Sequence, residues 1–189
     1  SLDFRPLSYL EENINKQFLL PDKILVNGKN SKDRLINYGF SRSLLKDVEA
    51  TRYDHLTYKK YKSIKKIEKS ILFILEGIKD TNDFILKLIN NYMANFKISK
   101  KYEIYVRPHP SLNVIDKIKN KNITIDNNND ISKSIRMFDI ICVSINSSAF
   151  IDAIHDKKNV IPLWNPKEMI RSTLQNYDLK KFVKNSNQL

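Results

Sequence analysis

The sequence predicts an α/β fold, a parallel sheet flanked by helices with a short leading segment before it. Three observations point there. Short runs rich in β-branched and aromatic residues alternate with longer stretches of helical periodicity, the signature of βαβ units. Most of the runs are apolar almost throughout, as strands covered on both faces require. Apolar residues make up 41% of a 189-residue chain, enough to build the core of one good-sized domain.

Taken in order, Lys23-Ile24-Leu25-Val26-Asn27-Gly28 reads as a strand over 23–27 and a turn. Ser31 to Tyr38 follows as a helix that stops at Gly39, where glycine adopts a left-handed cap at least cost. The lysine-rich stretch 59–69, densest at Lys59-Lys60-Tyr61-Lys62-Ser63-Ile64-Lys65-Lys66, reads as a connector. Residues 1–60 are therefore expected to be a leading segment plus linker, and 61–189 the α/β domain. In that domain strands are expected at 71–76, 102–107, 122–126, 138–143 and 159–163, with helices between them. The clearest helix runs from Asn82 to Phe96, where Phe84, Ile85, Leu88, Ile89, Tyr92, Met93 and Phe96 form one apolar stripe. Lys180 to Leu189 is polar enough for a frayed or crossing tail.

Composition removes several kinds of chemistry. Only Gly28, Gly39 and Gly77 occur, so no glycine-rich loop wraps a phosphate chain, and there is neither a dinucleotide fingerprint nor a P-loop. His55, His109 and His155 lack the spacing of a zinc motif. The single Cys142 lies inside an apolar run and reads as a core residue. Neither a long apolar span nor an export leader is visible, which favours a cytoplasmic protein. The chain opens on Ser1-Leu2, which reads as an appended remnant on part of a longer parent. The formal charge of +12 invites a polyanion reading, yet only seven of the 33 basic residues are arginine, and a chain loaded with Lys, Ile and Asn suggests a coding bias instead. Nucleic acid is disfavoured as a partner; attraction to anionic lipid at the inner face of a membrane stays open.

Two motifs carry the chemistry. Tyr102 to Val106 ends in Arg107-Pro108-His109-Pro110, where each proline holds the residue before it extended. Pro110 is placed to open a helix and Ser111 to cap it. His109 suits a hydrogen bond to a phosphate oxygen, or the protonation of a departing nucleotide, and Arg107 adds positive field. A histidine that merely caps the turn fits the same residues. The second motif, Ser144-Ile145-Asn146-Ser147-Ser148, follows the run ending in Val143 and puts small hydroxyl residues at a helix start, where free N–H groups favour an anion. Ordinary N-capping also explains Ser147 and Ser148. Asp152, four residues after Ser148, shares its helix face and is within reach of a ribose hydroxyl. Glu76-Gly77 ends the first core strand at the same sheet edge and offers a sugar contact, or else a simple turn with a solvated glutamate. Trp164 suits a pocket wall or plain edge packing.

At these residues the chain resembles the C-terminal, nucleotide-binding half of two-domain glycosyltransferases of the GT-B fold, particularly bacterial enzymes of capsule and lipopolysaccharide assembly. Bacterial sialyltransferases carry an HP motif and a paired hydroxyl motif that hold the phosphate of the donor, and His109-Pro110 and Ser147-Ser148 match them in type and order. The resemblance implies a Rossmann-like nucleotide-binding domain over 61–189, a remnant of the acceptor domain over 1–60 that includes Arg52-Tyr53-Asp54, and a metal-independent glycosyl transfer. The implied donor is a nucleotide sugar, CMP- or UDP-linked, and the implied acceptor a glycan or a lipid-linked glycan. HP dipeptides also occur in CDP-glycerol polyol phosphate transferases, so that activity is an alternative, as is a basic module that binds polyanions without catalysis. The sialyltransferases draw their base from an acidic-acidic-glycine motif in the first domain; the nearest match here, Leu75-Glu76-Gly77, has leucine first and sits in the second, so the base role is not carried to Glu76.

Overall fold

The computed structural model describes residues 21–49, 51, 54, 64–94, 101–112, 114–118, 120–169 and 182–185. The chain divides into two compact units, Ser1–Lys59 and Lys60–Leu189. Of the sequence expectations, the dense lysine stretch up to Ser63, Arg52-Tyr53, the last two residues of the Asn82–Phe96 helix and most of the Lys180–Leu189 tail lie outside the described residues.

The leading unit is one βαβ turn. Strand β1 (Ile24–Val26) leads into helix α1 (Lys29–Asn37), and the chain returns through a 3-10 turn at Arg42–Leu44 to β2 (Leu45–Asp47), which pairs parallel to β1 with Ile24 opposite Leu45. Gly39 ends α1 at φ +94°, and its N–H and that of Phe40 close back on the carbonyls of Ile36 and Leu35. That is a Schellman cap, and Phe40 packs with Leu35, Val26 and Leu45 beneath it. The helix starts two residues before the expected Ser31 because Gly28, at φ +93°, turns the chain directly into it.

The larger unit is a five-stranded parallel sheet: β3 (Ile67–Ile74), β4 (Glu103–Arg107), β5 (Ile123–Ile125), β6 (Phe138–Ser144) and β7 (Asn159–Leu163). Its spatial order is β5-β4-β3-β6-β7. The chain runs outward one way from β3, then returns to lay β6 on the other side of it, so the order reverses between β3 and β6; this is the doubly wound, Rossmann-like arrangement. Alternate residues divide the core. Ile71, Phe73 and Cys142 face helix α2 (Lys79–Ala94) with Ile85, Leu88 and Ile89. Leu72, Ile74, Ile141 and Val143 face helices α3 (Ile131–Met137) and α4 (Ser148–His155) with Ile135, Phe150 and Ala153. Burial pushes the Cys142 thiol well above its ordinary range, in keeping with a core side chain.

Several expectations need correcting. Residues 67–69 belong to β3 rather than to a connector: the strand carries a bulge between Ile67 and Ile71, with Lys69 at φ +51° donating its N–H to Asp139 at 2.5 Å, and Ser70 Oγ bonded to the Ile67 carbonyl. β3 also ends at Ile74, two residues early. Pro110 opens no α-helix. Leu112 N–H bonds the His109 carbonyl at 3.1 Å in a β-turn with proline at its second position, and among the described residues the crossover to β5 carries a 3-10 turn, Ile115–Lys117, and no α-helix. Helix α2 begins at Lys79, so Asn82 lies within its first turn. From the polar tail, Phe182 and Val183 are buried, and Val183 bridges in parallel to Leu163.

Candidate functional site

All five strands deliver their loops to one edge of the sheet, and the register aligns them. Ile74 lies opposite both Arg107 and Val143, and Ser144 lies opposite Leu163. Glu76 and His109 thus follow one shared row by two residues each, and Ser147 follows it by four. Adjacent strands lie about 4.8 Å apart, so β4 and β6, flanking β3, stand about 10 Å apart. The crevice past the carboxyl ends of β3 and β6 is where the strand order reverses, the place where doubly wound sheets take ligands.

The β3–α2 loop is built from a clamp. Asn82, fully buried, accepts a hydrogen bond from the Glu76 N–H at 2.8 Å and donates to the Glu76 carbonyl at 2.7 Å, standing in for a strand partner. Glu76 is itself buried, so the solvated-glutamate reading fails. Gly77 serves space rather than backbone freedom. A Cβ there would come within 3.2 Å of Ser111 Oγ, 3.3 Å of His109 Cε1 and 3.4 Å of His109 Nδ1. The imidazole therefore lies against the Gly77 backbone, and the first and second core loops form one wall.

His109 is exposed, with Nδ1 at 2.7 Å from Ser111 Oγ and at 3.2 Å from the Ser111 N–H, which donates to it. Arg107 is elsewhere. It shares the strand face of Tyr105, beneath α3, where its Nη1 donates to Asp126 Oδ2 and Ser134 Oγ, both at 2.9 Å. Its side chain is 12% exposed and that of Asp126 3%, so the expected field of Arg107 on a ligand is spent within the fold.

At β6, Ser144 is buried, and its Oγ accepts from the Asn146 N–H at 3.2 Å. Asn146 donates to the Met169 carbonyl at 3.1 Å, tying this loop to the segment after β7. Ser147 is the N-cap of α4; its Oγ accepts from the Ala149 N–H at 3.3 Å. The capping reading of Ser147 is therefore realised, yet a hydroxyl that accepts through oxygen keeps its own proton to donate. Ser148 is the first helical residue, and by helix geometry its N–H is one of the orphan donors. Asp152 is buried one turn into α4, in the wall rather than on an open rim.

The segment after β7 closes the far side. Trp164 donates its indole N–H to the Glu168 carbonyl at 3.1 Å and carries Lys184 4.9 Å over its ring, a packed edge tryptophan. Glu168 accepts from Thr81 of α2 at 2.6 Å and from Asn165 at 3.0 Å. Neither the Asn82 clamp nor the Thr81–Glu168 contact is visible in sequence, because Thr81 and Asn82 sit in a first turn, Lys79-Asp80-Thr81-Asn82, that is polar throughout. The edge thus brings His109 and Ser111 into contact beside Gly77, with Ser144 to Ser148 two strands from His109, and leaves Arg107 below. No protein-family model and no curated protein matches this chain.

Proposed function

We propose that this domain binds the phosphate of a nucleotide-sugar donor at the β3/β6 crevice and serves a glycosyltransferase of bacterial surface polysaccharide assembly. What supports the reading is that an imidazole beside Gly77 and a hydroxyl-capped helix start both follow strand ends on the same sheet edge, flanking the point of strand reversal. His109 supplies a hydrogen bond that stabilises the departing nucleotide's phosphate, Ser147 donates through its hydroxyl, and the first N–H groups of α4 add the positive end of the helix dipole. These are largely neutral donors, which suit one bound phosphate group better than a long polyanion. Glu76, Gly77 and Asp152 line the wall where a sugar or ribose hydroxyl would sit, and Ser144 and Asn146 shape the loop from behind.

Calorimetry with CMP, CDP, UDP and GDP tests the reading. Binding of at least one, lost tenfold or more in His109→Ala and changed little between 50 and 200 mM salt, is the expected result. A steep salt slope with no effect of His109→Ala indicates the polyanion module instead. A CDP-specific response favours the polyol phosphate alternative. No binding by any of the four sinks both enzymatic readings.

A further inference from the structure

Ser111 makes two contacts with the imidazole of His109. Its backbone N–H points at His109 Nδ1 at 3.2 Å, and its hydroxyl lies 2.7 Å from the same atom. An imidazole nitrogen that accepts a hydrogen bond carries no proton, so the neutral ring keeps its proton on Nε2. A Cβ at Gly77 would come within 3.3 Å of Cε1 and 3.4 Å of Nδ1, so the ring lies beside the first core loop, and Pro108 and Pro110 stiffen the chain on both sides. We infer that Ser111 is a positioning residue: it holds Nδ1 as the acceptor, so that His109 meets its ligand as an Nε2–H donor facing an anionic oxygen.

This deepens the donor-phosphate reading and rests on it for the ligand, but not for the tautomer. Two consequences follow from the geometry. A ligand that needs to donate to the ring finds no acceptor on Nε2, so the site selects oxyanions, such as phosphate oxygens, over hydroxyls or amines as the partner of His109. The Ser111 hydroxyl, able to donate or accept, keeps a partner on Nδ1 whichever protonation state the ring adopts.

The test has two arms. In the unliganded protein, ¹⁵N NMR of the His109 ring at alkaline pH is expected to show protonated Nε2 and unprotonated Nδ1; an Nδ1–H tautomer overturns the proposal. Calorimetry with CMP and CDP then compares variants. Ser111→Ala is expected to weaken binding about two- to tenfold, the range of one hydrogen bond. Ser111→Thr is expected to restore it, and Ser111→Ala is expected to change nothing further in a His109→Ala background. An undiminished affinity in Ser111→Ala, or an equal loss in the His109→Ala background, also overturns the proposal. Should neither nucleotide bind the wild-type protein, the donor-phosphate reading falls and the NMR arm alone decides the role of Ser111.

Discussion

Replacing Arg107 separates a residue of the fold from a residue of the site. Its guanidinium and the Asp126 carboxylate lie 2.9 Å apart at 12% and 3% side-chain exposure. At an effective dielectric of about 20, that separation is worth about 6 kcal/mol of attraction, most of it offset by stripping water from both ions. The net value of the intact pair is therefore small, but its rupture is not. Arg107→Ala leaves a buried carboxylate oxygen without its cation, a change that costs about 3–5 kcal/mol. The lower end applies here, because the other Asp126 oxygen still accepts from the side chain of Asn128 at 2.5 Å and from its N–H at 3.3 Å. Urea unfolding followed by circular dichroism should show a loss of about 3 kcal/mol, a melting temperature lower by about 10 °C. Removing both ions in Arg107→Met with Asp126→Leu should recover most of it. An Arg107→Ala protein that keeps its stability to within about 1 kcal/mol and loses nucleotide binding would refute the reasoning, since the guanidinium would then work at the crevice.

Two further substitutions probe the backbone that supports the site. Lys157 follows α4 at φ +52°, in a Schellman cap where its N–H bonds Ile154 and that of Lys158 bonds Ala153. Glycine adopts that conformation without the Cβ penalty, so Lys157→Gly should stabilise the domain by about 0.5–1 kcal/mol in thermal unfolding, with nucleotide affinity unchanged. Asn82→Ala strands the N–H and the carbonyl of Glu76 together, at about 1–3 kcal/mol for each buried group, so stability should fall by about 2–6 kcal/mol and the Glu76 amide should exchange faster with deuterium.

The parts of the fold legible in sequence were those whose physics is repeated along the chain. The carboxyl halves of β3 and β6 are covered on both faces, so they appear as apolar runs, β4 appears as a β-branched and aromatic one, and the stripe of α2 appears at helical spacing because its core contacts recur every turn. Elements held by single contacts stayed hidden. β2 is three residues long and buries only Leu45, and the first residues of β3, Ile67-Glu68-Lys69, read as part of the lysine-rich stretch because their pairing depends on a bulge bridged by Ser70 and Asp139. No local pattern encodes that bridge, because its two halves lie 69 residues apart.

The candidate site divides along the same line. A proline-bracketed histidine and a hydroxyl at a helix start are local signals, and both reach the carboxyl edge of the sheet as their position after a strand requires. Arg107 carries the same local signal, a polar residue at a strand end, but strand alternation turns it to the face of Tyr105, and what waits there is set by Asp126 and Ser134, 19 and 27 residues away. Sequence therefore names which residues arrive at the edge more reliably than which of them remain available to a ligand. The structure supplies the missing step by showing where each donor is already spent. With Arg107 paired, the motif residues left to meet an anion are the imidazole, the Ser147 hydroxyl and the helix N–H groups. In the proposed reading these meet one phosphate by geometry more than by net charge, and so the salt dependence of nucleotide binding, rather than the +12 of the whole chain, is what tests it.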